Sequence, residues 1–256
     1  MLFRSAAMLY SVQPISTTFT VMPLTEHSYR SNSLDTYRGI AVGLMILFHF
    51  LWNLREFGLL SFDIEGPIWQ SFRSIIVFMF VTALGCSSYL AVSQNHARQR
   101  FLKNQLKLGM AALFISCGTY LLLPSQWVFF GILQFLFIAG WLLRPIASSP
   151  VLTATAGMAL VALSLYNNLD AITAHRWFIA TFNAPANTID FINPLPWIGV
   201  AMIGPFLGYI KLHKLILPTN TLTSGLSWMG KNALVIYLLH QLILFPIAAL
   251  ISFAVK

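Results

Sequence analysis

Charge is what this sequence has least of. Asp, Glu, Lys and Arg together make up 9% of its 256 residues, against about 25% in an ordinary soluble domain. So little charge cannot keep a globular surface in water. Acids are the scarcer sign, seven against fifteen Lys and Arg. Cysteine is scarcer still: Cys86 and Cys117 are the two present. Both fall in apolar runs with no CxxC or zinc-type spacing, which excludes a disulfide scaffold, and no metal site is expected. Each cysteine reads as a small buried hydrophobe. Internal repeats and low-complexity tracts are also missing. So is the strict alternation of a membrane β-barrel, where backbone groups are satisfied between strands.

What is present is apolar sequence in long runs. The chain is 57% hydrophobic with a mean hydropathy of +0.75. A span of the bilayer needs about 20 apolar residues as a helix. About seven segments approach that length, at 36–54, 68–93, 104–123, 126–143, 150–167, 194–212 and 230–253. The expected fold is therefore all-α: a polytopic transmembrane helix bundle, with the bilayer as its first partner. Residues 1–30 carry Arg4 and a weak apolar stretch broken by Ser5, Ser11, Gln13 and Pro14. They make a poor signal peptide and are expected to be a disordered tail or an upstream extension. Residues 31–256 are expected to form the one membrane domain.

The distribution of charge orients the bundle. Arg4, Arg30, Arg38, Arg98, Arg100, Lys103, Lys107, Arg144, Lys211, Lys214 and Lys231 fall in the tail and in alternate loops or helix ends. Glu56, Asp63, Glu65, Asp170 and Asp190 fall on the other side. The positive-inside rule then predicts a cytoplasmic N-terminus. It also accounts for the net charge of +8, so no nucleic-acid partner is implied. Trp69, Trp127 and Trp197 sit where outer-interface anchors are expected. The longest connection, 168–193, is external and contains His175, Arg176, Trp177 and Asp190. Gly39/Gly43 and Gly204/Gly208 have the small-residue spacing that permits close helix approach.

Against this apolar background a few polar side chains stand out. His49 lies eleven residues beyond Arg38 in the first segment, roughly 16 Å along a helix. His240 lies nine residues beyond Lys231, roughly 14 Å. Gln134 lies ten residues before Arg144 on a helix running the other way, roughly 15 Å. Three polar side chains from three helices are thus expected at one depth, with Asn53 one turn beyond His49 on the same face. Such groups can be interhelical glue, but ionisable residues within a membrane more often mark a site. Histidine suits acid–base work, since its unperturbed pKa is about 6.5. A neutral imidazole can take a proton from a hydroxyl or amine, or carry an acyl group transiently. Arg73, near the outer end of the second segment, reads as a snorkelling arginine or as a clamp on an anionic or carbonyl oxygen. Asp190, before Pro194-Leu195-Pro196-Trp197, reads as a ligand for a sugar or amine, or as a loop anchor.

Four stretches resemble one known family. SLDTYRGIAV at Ser33–Val42, FFGILQF at Phe129–Phe135, DFINPLPWIGVAMIG at Asp190–Gly204 and MGKNALVIYLLHQ at Met229–Gln241 are similar, in order, to the heparan-α-glucosaminide N-acetyltransferase family and its small bacterial members. The spacing Arg38-x10-His49 also resembles an arginine–histidine signature of wider integral-membrane acyltransferases. The resemblance implies transfer of an acetyl or other acyl group from cytoplasmic acyl-CoA to an acceptor, often a sugar. It implies catalytic roles for Arg38, His49 and His240. The eukaryotic members carry asparagine at the position of His49 and an active histidine in the loop that follows, where this chain has none.

The reading reached from sequence is an acyltransferase of a bacterial inner membrane, acting on a sugar or amino-sugar acceptor. His49 serves as base or acyl carrier, His240 as its polar partner, and Arg38 as a structural or donor-binding residue. Gln134, Asn53, Arg73 and Asp190 are the candidate substrate-binding residues. The composition also leaves room for a homo-oligomer. Two alternatives stand beside this reading: a small-solute transporter with polar groups at the bilayer midplane, and a structural membrane subunit. No inverted repeat favours the transporter.

Overall fold

The computed structural model describes residues 31–94, 98–167, 171–215, 217–218 and 220–255. The expected tail at 1–30, together with Asp170 and Lys256, lies outside the described residues. The described residues are 80% helix and include no strand. The helices in order are α1 (Asn32–Glu56), α2 (Pro67–Ser93), α3 (Arg98–Leu122), α4 (Ile132–Ile146) and α5 (Pro150–Tyr166). There follow α6 (Ala171–Phe182), α7 (Pro194–Tyr209), a 3₁₀ turn at Leu212–Lys214, α8 (Thr221–Lys231) and α9 (Ala233–Val255).

Local sequence explains most helix starts. Ser31 caps α1, its side chain accepting from the backbone N–H of Leu34 at 3.2 Å, and Asp35 adds a negative charge in the first turn. Proline opens α2, α5 and α7, where its missing N–H costs nothing. Asn220 caps α8 by accepting from Thr223 N at 2.8 Å.

Four helices, α1, α2, α3 and α9, are long and apolar enough to cross a membrane; α4 and α5 are apolar but shorter. The chain is an integral membrane protein, and among the described residues four of the seven expected spans meet the length criterion. The fourth expected segment began at 126, whereas α4 begins at Ile132. Residues before it are held extended against the end of the long connection: Ile189 N donates to Gln126 O and Ile192 N to Phe130 O, both at 3.0 Å. Two helices have no counterpart among the expected segments. The 12-residue α6 lies within the long connection, and the 11-residue α8 precedes α9. Both are too short to register in a search for spanning runs.

The largest buried cluster joins α2, α4 and α7: Val77, Val81, Ile132, Phe135, Ala139, Leu143, Ile192 and Ala201. Trp69 is buried at the start of α2, its ring stacked 4.2 Å from that of Phe48. Cys86 is buried as expected, while Cys117 is exposed on the outer face of α3.

Close approach of α1 and α8 depends on two glycines. A Cβ on Gly39 would fall 1.8 Å from the carbonyl oxygen of Leu226, and one on Gly230 would fall 1.8 Å from that of Asp35. Gly43, its expected partner by spacing, has nothing within 4 Å. The functional glycine of that pair is therefore the first, and it meets α8 rather than another copy of the motif. Gly39→Ala should force the helices apart at a cost of about 1–3 kcal/mol, whereas Gly43→Ala should be tolerated. Apparent melting temperatures of the two variants in detergent check this.

Candidate functional site

α1 and α9 run parallel, and their contact brings the two histidines of the apolar segments together. The His49 and His240 rings have centroids 4.7 Å apart, tilted by 52°. No side chain separates them. His240 is 8% exposed and His49 is half-buried. Phe48, stacked on Trp69, places its edge against His49 at 5.5 Å and closes one side of the pair.

Hydrogen bonds fix the rest of the group. Asn53, 3% exposed one turn beyond His49, donates from Nδ2 to Gln241 Oε1 at 2.9 Å. Gln241 Nε2 lies 3.3 Å from His49 Nδ1. His240 Nδ1 lies 2.5 Å from the carbonyl oxygen of Tyr237, one turn earlier on α9. His240 Nε2 is buried and has no hydrogen-bond partner among the described residues. Sequence reasoning did not single out Gln241. It directly follows His240, and residues i and i+1 of a helix do not share a face. The two reach one site only because α1 lies between them and His49 touches both.

Arg73 and Asp190 form a second polar group at the end of the bundle where α2 and α7 begin. Arg73 Nη2 donates to Asp190 Oδ1 at 3.2 Å and also to the backbone oxygen of Phe191. The other carboxylate oxygen of Asp190 accepts from Ile132 N at 3.0 Å. Asp190 thus supplies the negative charge that the N-terminus of α4 favours, anchors the long connection, and orients Arg73. This ion pair joins α2 to the end of the long connection. Beside it opens a pocket of about 260 Å³ lined by Gln70, Arg73, Ser74, Asn193 and Trp197, among others. His175 closes over Phe191 with ring centroids at 4.9 Å, its Nε2 3.0 Å from Pro185 O.

Two expected site residues have other surroundings. Gln134 reads from sequence as a third member of the histidine layer. Its Oε1 accepts from Gly131 N at 3.1 Å, and its Nε2 donates to Ser116 Oγ at 2.7 Å and to Ala112 O at 3.2 Å. Those bonds cap α4 and tie it to α3; similar depth did not mean similar lateral position. Arg38 stands eleven residues from His49 on α1. It donates to Asp35 Oδ1 at 3.1 Å and to the Ser87 hydroxyl on α2. Asp35 is fully buried beneath it. Arg38 and the histidines are therefore separate along α1, at opposite ends of its contact with α2.

Asp190→Ala should remove the partner of the α4 N-terminus, a loss of about 0.5–2 kcal/mol, and release Arg73. Asp190→Asn, which keeps an oxygen for Ile132, should lose less. A thermal melt of both variants in detergent measures the difference.

None of the curated proteins and none of the solved structures matches this chain. One family model does: the catalytic region of heparan-alpha-glucosaminide N-acetyltransferase matches residues 30–242. The match opens just before α1 and closes just after Gln241, so it encloses both histidines, Asn53, Arg73 and Asp190. Covering most of the chain in one register, it shows that this protein belongs to the heparan-α-glucosaminide N-acetyltransferase catalytic-domain family, a family of membrane acetyltransferases.

Proposed function

We propose that this protein transfers an acetyl or other acyl group from acyl-CoA to a sugar or amino-sugar acceptor, at the paired imidazoles of His49 and His240. The observation that carries this reading is the pair itself. Two rings from helices far apart in sequence touch within an apolar bundle, and an amide chain through Gln241 and Asn53 orients one of them. A polar group in hydrocarbon costs free energy, so one that is kept there usually has a use. Acid–base catalysis of acyl transfer is such a use, and acetyl transfer is the activity the family's description names.

The two ends of α1 divide the remaining work. Arg38, within the basic end of the bundle, is a donor-side residue that braces α1 on α2 through Ser87 and presents positive charge to an acyl-CoA phosphate. Arg73 and the pocket beside it serve the acceptor. Amide, hydroxyl and guanidinium groups with the face of Trp197 make a lining suited to a sugar's hydroxyls and its apolar ring face. Asn53, expected to touch substrate, acts through Gln241 and His49. In this reading the chain sits in a bacterial inner membrane with the Arg38 end cytoplasmic, as the excess of Lys and Arg there supports.

The test is purified protein incubated with radiolabelled acetyl-CoA and a panel of amino sugars and glycans. Transfer is expected, and His49→Ala and His240→Ala should each lower it about 100-fold or more while keeping the wild-type melting temperature. Acetyl-CoA that neither binds nor reacts, together with solute flux in liposomes, would make this a transporter instead.

A further inference from the structure

Within the acyl-transfer reading, on which this rests, we propose that His240 Nε2 is the base and His49 Nε2–H the hydrogen-bond donor to the reacting carbonyl. Asn53 and Gln241 are positioning residues that hold this division by fixing where the His49 proton sits. This exchanges the parts that position in the sequence assigns to the two rings.

A backbone carbonyl can only accept a hydrogen bond. Tyr237 O, 2.5 Å from His240 Nδ1, therefore requires a proton on that nitrogen. The neutral ring then has its lone pair on Nε2, the atom that is buried and without a partner among the described residues. On the other ring the chain of bonds starts at Asn53. Its amide nitrogen donates to Gln241 Oε1, so Gln241 has only its NH₂ group to turn toward His49. An amide nitrogen donates and does not accept. His49 Nδ1, 3.3 Å away, must be the acceptor, and the proton of the neutral ring sits on Nε2. Two side-chain amides and one carbonyl thus set two rings 4.7 Å apart in opposite tautomers.

That arrangement fits the needs of acyl transfer. The acceptor's O–H or N–H gives its proton to His240 Nε2 as its oxygen or nitrogen bonds to the thioester carbonyl carbon. The electron pair of the carbonyl moves onto its oxygen, which accepts the hydrogen bond from His49 Nε2–H. When the intermediate collapses the C–S bond breaks. The departing sulfur of coenzyme A takes the proton from His240, which returns to its starting form. His49 keeps its proton throughout. No oxidant, reductant or further reactant is needed.

Two measurements test this, and only one depends on activity. In protein labelled with ring-¹⁵N histidine, and assigned with His49→Ala and His240→Ala, the nitrogen shifts should report an Nδ1–H tautomer for His240 and an Nε2–H tautomer for His49. Gln241→Leu should turn the His49 signal into a tautomer mixture and leave His240 unchanged. In the transfer assay, glutamine can replace a donor but not a base. His49→Gln should stay within about 10-fold of wild type while His49→Ala falls about 100-fold. His240→Gln and His240→Ala should both fall about 100-fold or more. Reversed tautomers, or rescue by glutamine at 240 and not at 49, overturn the assignment even in an active enzyme. The expected tautomers in a protein that acylates nothing would sink the acyl-transfer reading instead, so the two failures are distinguishable.

Discussion

A polar atom that cannot reach water must be satisfied by the chain itself, and in this protein that requirement decides how the helices meet. Burying an amide or hydroxyl without a partner costs a few kcal/mol, far more than the preference among helix packings. Asn53 is therefore committed to Gln241, Gln134 to Ser116 and Ala112, and Ser227 to Asn32 at 2.5 Å. Each bond ties two helices at a set height. Between them glycines allow backbones to touch, as where a Cβ on Gly204 would lie 2.6 Å from the Cα of Gly85. Side-chain bonds give the register and small residues give the distance.

His240 Nε2 is buried without a partner among the described residues, beside a His49 ring that the Asn53–Gln241 amides hold. Among the described residues His213 Nδ1, in the 3₁₀ turn, is likewise buried without a partner, but it is His240 Nε2 that lies on a ring packed against a second imidazole. The neighbouring His49 is held by an amide relay that ends in Asn53, so the two rings are not equivalent even though both are histidines at one depth. Chemical inequality between like residues arises here from what each backbone and side chain is able to donate.

The second polar group has a different character. Asp190 divides its two oxygens between Arg73 and the start of α4, and Phe130 and Phe191 pair as short extended segments beside it. The long connection is thus tied down at its end, and its helix α6 spreads aromatic rings over Phe129, Phe130 and Phe191. This gives a rigid rim to the pocket beside Arg73. The same carboxylate that reads as a ligand from the sequence is occupied by the fold, which leaves the guanidinium as the group that faces the pocket.

Composition and run length by themselves determined the class: a helical membrane protein, since so few charges and such long apolar segments have no other stable form. That His49 and His240 could meet at one height was also legible, because helix rise converts residue number to height, and the i, i+4 spacing put Asn53 on the face of His49. Height along an axis says nothing of azimuth or of which helices are neighbours, so Gln134 looked like a partner of the histidines and Gln241 did not. Segments too short to cross, α6 and α8, left no mark in a pattern dominated by long runs. For His240 the bonded ring atom is set within α9, by the carbonyl of Tyr237 three residues earlier; for His49 it depends on contacts between residues about 190 positions apart. Only the packing of α1 on α9 creates those contacts.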